Sequence, residues 1–153
     1  MPALAVVAAL AGAVLTFSAV FAAERGPVVT DPQSGLAISG FDPVAYFSEA
    51  KPAVGRAELE HGAGGAVWRF TNAGNRAAFA GDPDVYAPRF GGYDPVAIAR
   101  GASVPGHPEI WLVSGQRLYL FYNASARAAF AAEPERIIET AERNWPVVQK
   151  KLP

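Results

Sequence analysis

Apolar and polar positions divide the chain into three stretches. From Ala3 to Ala23 no charged residue occurs, and Ala, Val, Leu and Phe dominate. The stretch 23–35 is mostly polar, holds Pro27 and Pro32, and shows no apolar period, so it reads as a flexible lead-in. From Leu36 onward apolar residues recur at strand and helix spacings, which places a folded domain over 36–153. Residues 66–70 and 118–122 alternate or run apolar with aromatic side chains, as half-buried strands do. Strands at 110–113 and 117–122 flank Ser114-Gly115-Gln116, and strands at 57–61 and 66–70 flank Gly62-Ala63-Gly64-Gly65, predicting two β-hairpins. Asn72 and Asn123 predict caps of short helices over 73–80 and 124–132, with Phe79 and Phe130 on their buried faces. Asp42-Pro43 and Asp94-Pro95 predict two further helix starts, the Asp covering free amides and the Pro taking the first helical position. Ile137, Ile138, Ala141, Trp145 and Val148 stand at helical spacing, predicting a longer helix over 135–150 that packs across both halves. The expected fold class is α+β: hairpin-plus-short-helix units forming a small antiparallel sheet, closed by a C-terminal helix.

The same unit occurs twice. The thirteen residues from Asn72 to Asp84 stand 51 positions before a near copy from Asn123 to Glu135, with eight identities, and Asp82/Glu133 and Asp84/Glu135 keep their charge. At that offset Val67, Trp68 and Phe70 face Leu118, Tyr119 and Phe121. Upstream, Gly40-Phe41-Asp42-Pro43-Val44-Ala45 matches Gly92-Tyr93-Asp94-Pro95-Val96-Ala97 at an offset of 52. Three matched blocks in one order predict a tandem duplication, with units near 38–88 and 90–139.

Composition narrows the chemistry. The chain has no cysteine, which excludes disulfides, thiolate metal sites and cysteine nucleophiles. Thirteen Lys+Arg against fourteen Asp+Glu, without a basic run, argue against nucleic acid as a partner. The uncharged first segment ends in small residues at Val20 and Ala22, followed by Glu24-Arg25, the pattern of a secretory signal over 1–22. Its length of about 20 residues also suits an uncleaved anchor, but its Ala and Gly content makes cleavage the preferred reading. The domain is expected in the periplasm or otherwise exported, with no membrane insertion after cleavage.

Across 36–150 the chain resembles the YHS-domain family in its exported, single-domain bacterial form. The resemblance rests on Ile38-Ser39-Gly40-Phe41-Asp42-Pro43-Val44-Ala45-Tyr46-Phe47, on Trp68-Arg69-Phe70 followed by Asn75-Arg76 and Phe79, and on Asp82-Pro83 with Tyr86-Ala87-Pro88 and Gly91-Gly92-Tyr93. Leu118-Tyr119-Leu120-Phe121-Tyr122-Asn123 and Asn144-Trp145-Pro146 complete it. It implies an association with metal handling, and it implies a cysteine just after Gly-Gly-Tyr. That position holds Asp94, and the hairpin-to-helix junctions hold Thr71, Asn75 and Tyr122, so a thiolate metal role does not carry over.

Asp42 and Asp94 occupy equivalent places and are candidates for a carboxylate pair that binds a hard cation or shares a proton, against the plainer role of helix caps. His61 and His107 are the only imidazoles. His61 and His107 lie 46 positions apart without a short ligand spacing, and His107, with Asp94, is the better candidate metal ligand. Tyr46, Tyr93, Trp111, Tyr119 and Tyr122 are candidates for an apolar pocket holding haem or another flat ligand, against a plain core role. No phosphate loop, dinucleotide fingerprint or nucleophile elbow occurs. The expected function is a non-catalytic binding protein with a site built on Asp94, Tyr93, His107, Asp42 and Tyr46, for a metal ion or small metal-containing ligand. The alternatives are an envelope interaction module without a small ligand and a metal-dependent enzyme.

Overall fold

The computed structural model describes residues 27–152, so the predicted signal segment lies outside the described residues. The fold is α+β, and each predicted unit assembles in the same way. In the first, a tight 3-10 turn at Ile38–Gly40 leads to helix α1 (Ala45–Ser48), hairpin β1 (Arg56–Ala63) and β2 (Ala66–Phe70), and helices α2 (Ala73–Gly81) and α3 (Pro83–Tyr86). In the second, a turn at Arg89–Gly92 leads to α4 (Pro95–Ala99), β3 (His107–Ser114), β4 (Arg117–Phe121), α5 (Ala124–Ala132) and the long α6 (Pro134–Gln149). The hairpins stay separate as two two-stranded antiparallel sheets.

The duplication reaches into details of register. Both hairpins carry an irregularity at the same place, between Arg56 and Glu60 in β1 and between His107 and Trp111 in β3. Such a bulge bends the strand and sharpens its twist, which curls each hairpin over its own helix. Ahead of each bulge a glycine approaches the neighbouring backbone: the Gly55 N–H donates to the Gly40 carbonyl and the Gly106 N–H to the Gly92 carbonyl, both at 2.9 Å. A side chain on Gly55 would collide with the Arg69 backbone, and one on Gly106 with Leu120. Asn72 and Asn123 cap α2 and α5 as expected, accepting the Asn75 and Ala126 N–H groups at 2.8 Å each.

Two cores form, one around Phe79 and one around Phe130, and the first also takes in Leu118 and Leu120 from the second unit's hairpin. Phe79 lies with ring centroids 4.8 Å from Trp68 and 5.3 Å from Phe70; its counterpart Phe130 lies 4.8 Å from Tyr119 and 5.1 Å from Phe121. Burying one such ring contributes about 1.5–3 kcal/mol, and tilted aromatic pairs add to it. The predicted long helix forms, with Ile137, Ala141 and Val148 buried. Its placement differs from expectation: those side chains join the second unit's core alone, beside Phe90, Ile98 and Phe130. Asn144 explains the difference, because its Nδ2 donates to the carbonyls of Ile98 (3.1 Å) and Ala99 (3.0 Å), tying α6 to the end of α4.

The lead-in also departs from expectation from Pro27 onward. The Val29 N–H donates to the Gly91 carbonyl at 2.8 Å and the Ile38 N–H to the Val29 carbonyl at 3.1 Å, laying this segment over the turn between the units. Asp31 then reverses the chain by accepting the Gln33 and Ser34 N–H groups and the Ser34 hydroxyl. Backbone pairing and the packing of Val28 against the first core seat a segment that has no apolar period.

Candidate functional site

The two aspartates share a backbone role and then diverge. The Asp42 side chain is fully buried, and its Oδ1 accepts the Val44 (2.9 Å) and Ala45 (3.3 Å) N–H groups at the start of α1. Its Oδ2 accepts the Thr71 N–H (2.8 Å), the Thr71 hydroxyl (2.8 Å) and the Asn75 Nδ2 (2.7 Å). Both oxygens are thus occupied from within the first unit. Asp94 is 2% exposed, with Oδ1 accepting the Val96 N–H at 2.8 Å and Oδ2 accepting the Tyr122 N–H at 3.0 Å. The Thr71 hydroxyl and Asn75 amide have no counterpart there, because Tyr122 and Ala126 stand in their places.

A cavity of about 280 Å³ lies at that gap, lined by Asp94, Arg100, Tyr122, Asn123, Ser125 and Ala126 with neighbouring apolar side chains. Asp42 lines neither this cavity nor the larger one described below. The Asp94 cavity therefore sits where the first unit is plugged by Thr71 and Asn75. Its lining combines a buried carboxylate, an exposed arginine and the polar side chains of Asn123 and Ser125, so acceptor and donor groups both border it.

The expected carboxylate pair does not form: each aspartate is held by amides of its own unit, and the two share no hydrogen-bond partner. The expected grouping of Asp94 with Tyr93 and His107 is only partial, since neither Tyr93 nor His107 lines the Asp94 cavity. His107 is exposed at the start of β3, where its Nδ1 accepts the Glu109 N–H at 3.2 Å. His61 sits in the other hairpin, its ring 6.2 Å from Phe79. Among the described residues no group of three or more His, Asp or Glu converges as a metal site.

The predicted aromatic pocket is likewise dispersed. Tyr46 is buried between the units: its hydroxyl donates to the Pro108 carbonyl at 2.8 Å and its ring meets Trp111 edge-on at 5.2 Å. Burial first, then the negative charges of Glu109 and Asp42, pushes its phenol well above the ordinary range. Tyr119 belongs to the second core, Tyr93 packs on Trp145 at 5.9 Å, and Tyr122 is 61% exposed at the rim of the Asp94 cavity. Burial raises the phenols of Tyr93 and Tyr119 as well.

The aromatic cavity that does exist lies between the units, with about 330 Å³ enclosed in part by Trp68, Phe79, Phe90 and Trp145. Its cations are already engaged. Arg117 donates to the Asp84 carbonyl at 2.7 Å, and Arg89 pairs with Glu142 at 2.7 Å while lying 5.6 Å over the Phe90 ring. Of the predicted site residues, Asp94 and Tyr122 line the smaller of these two cavities, and Tyr93, His107, Asp42 and Tyr46 line neither. Arg100, Ser125 and Ala126 escaped sequence reasoning, although the mismatch of Ala126 with Asn75 inside an otherwise matched block marks the place. No family model, curated protein or solved structure matches this chain.

Proposed function

We propose that the chain is an exported, non-catalytic binding protein of the YHS-like type whose ligand occupies the Asp94 cavity. The observation that supports this reading is the asymmetry of the duplication: one aspartate is plugged by its own unit and its equivalent faces an open space of about 280 Å³. That volume lies near the lower end of small-molecule sites, which suits a compact metabolite. Keeping a carboxylate buried with only backbone donors carries a desolvation cost, which a bound donor offsets. The uncharged segment 3–23 supports export. Among the described residues no helix is long and apolar enough to cross a membrane. The cavity wall carries one carboxylate and no imidazole, so an organic ligand suits it better than a metal ion.

The test is native mass spectrometry and a thermal-shift survey of mature protein purified from the envelope, against small metabolites of all charge classes and divalent cations. Saturable binding that Asp94→Ala removes, with the circular dichroism spectrum unchanged, is the expected result. A protein that takes up no small molecule from the survey overturns the reading and leaves the interaction module in its place.

A further inference from the structure

We infer that the ligand of the Asp94 cavity is a small amino acid or hydroxy acid, gripped at its ammonium or hydroxyl end by Asp94 and at its acid end by Arg100. This inference rests on the binding-protein reading above and specifies its ligand. The first unit supplies the template. There the Oδ2 atom of the equivalent Asp42 accepts two side-chain donors, a hydroxyl at 2.8 Å and an amide N–H at 2.7 Å, in addition to one backbone N–H. In the second unit Oδ2 keeps the backbone N–H of Tyr122, while Tyr122 and Ala126 stand where the two side-chain donors were and line the cavity together with Asp94. A molecule completing the arrangement brings O–H or N–H groups to that oxygen, and an ammonium does so with opposite charge in a buried setting, where such bonds are shorter and stronger.

The other end is set by Arg100. It closes α4, six residues after Asp94, which at 1.5 Å per residue puts the two backbones about 9 Å apart along the helix. Its side chain lines the cavity, is exposed, and makes no hydrogen bond or ion pair with another described residue. A guanidinium at a cavity mouth matches a carboxylate with two parallel N–H donors. A single small molecule with a donor at one end and an acid at the other spans these groups. A simple anion leaves Asp94 facing like charge, and a simple amine leaves Arg100 unused.

The first unit also dictates the test. Tyr122→Thr with Ala126→Asn rebuilds the Thr71 and Asn75 plug in the second unit, using side chains that the same fold already accommodates. Mature protein labelled with ¹⁵N is titrated with serine, alanine and lactate, and with propionate and ethylamine as half-ligands. The amides of Val96, Tyr122, Asn123 and Ala126 report occupancy. The expected result is saturable shifts with at least one of the three acids, weaker or no shifts with both half-ligands, and loss of binding in the plugged variant with thermal stability equal or higher. Arg100→Gln, at an exposed position, weakens acid binding by about tenfold or more, the scale of one charge-assisted contact. Shifts at these amides produced only by another class, such as dicarboxylates, amines or divalent cations, overturn the inference while keeping the site. Undiminished acid binding in the plugged variant overturns it too, by placing the acid elsewhere. Failure of every compound class in the broader survey is a different outcome, because it removes the site itself.

Discussion

The Tyr46 hydroxyl donates to the Pro108 carbonyl at 2.8 Å, and this bond joins the first unit's α1 to the start of the second unit's hairpin. The duplication has no second copy of it, since the residue 52 positions on is the buried Ile98. It is a one-sided tether. Tyr46→Phe leaves the ring against Trp111 and strands a buried carbonyl, so it is expected to cost about 1–3 kcal/mol. Urea unfolding checks this, with a lowered midpoint and an unchanged slope as the expected pattern.

The same residue sets an alkaline signature. Burial raises the folded-state phenol of Tyr46 above its unfolded value of about 10, and the unfolded chain therefore releases that proton first as pH rises. The stability it contributes is complete below about pH 10 and falls away as pH climbs toward the raised value. Tyr93 and Tyr119 act in the same direction, so Tyr46→Phe is expected to reduce the slope of stability against pH above 10 without abolishing it. Equal slopes in the two proteins would show that Tyr46 ionises as freely in the fold as out of it.

Asp42 and Asp94 are expected to differ sharply in what they contribute to stability. Replacing Asp42 by Ala leaves five donors at a buried site without their acceptor, a network loss on the order of 3–5 kcal/mol. Replacing Asp94 removes two backbone contacts beside an existing cavity, closer to the cost of a lost helix cap at about 1–2 kcal/mol. Equilibrium denaturation of both variants in parallel decides the matter. Equal costs would mean that the second site is closed as tightly as the first.

Much of this fold is legible in the chain before any coordinates. Aromatic alternation around Gly-rich turns marks both hairpins, and Asn72 and Asn123 mark their helices, because these signals are local. The 51-residue offset is readable through identities, yet the structural difference between the two aspartates lies in the mismatches: Thr71 against Tyr122 and Asn75 against Ala126. Their meaning depends on which side chains reach an aspartate about 30 positions away, and no local pattern carries that. The same holds for Gly55 and Gly106, single glycines whose necessity comes from a backbone that the chain meets only after folding. The dispersal of Tyr46, Tyr93, Tyr119 and Tyr122 has a similar cause, since period-two spacing says which strand face a ring takes but not which core receives it.

Gly106 tests the close approach directly. A methyl group there would stand 2.6 Å from the Leu120 Cβ and 2.8 Å from the Gly92 carbonyl oxygen. Gly106→Ala is expected to destabilise by about 1–3 kcal/mol, as overpacking does. Gly62 in β1 has nothing within 4 Å of an added methyl, and Gly62→Ala is expected to be neutral or to stabilise by about 0.5–1 kcal/mol through the unfolded chain. A thermal melt of each ranks them, and a reversed order would contradict the packing at the bulge.

Gly91 governs the seating of the lead-in. Its φ of +63° lies in the left-handed region, and an added methyl would collide with the Pro27 carbonyl and approach the Val28 Cα at 3.2 Å. Gly91→Ala therefore adds two burdens, a backbone cost of about 1–2 kcal/mol and a clash that the lead-in relieves by lifting away. Lifting breaks the Val29-to-Gly91 and Ile38-to-Val29 hydrogen bonds and uncovers the side of the inter-unit cavity that Val28 lines. Hydrogen exchange separates the two effects. Protection at the Val29 and Ile38 amides is expected to collapse, while the amides of β4 and α5 lose only what the global stability change dictates. Uniform loss across all of these amides would mean that the segment unfolds with the domain and is not separately seated on Gly91.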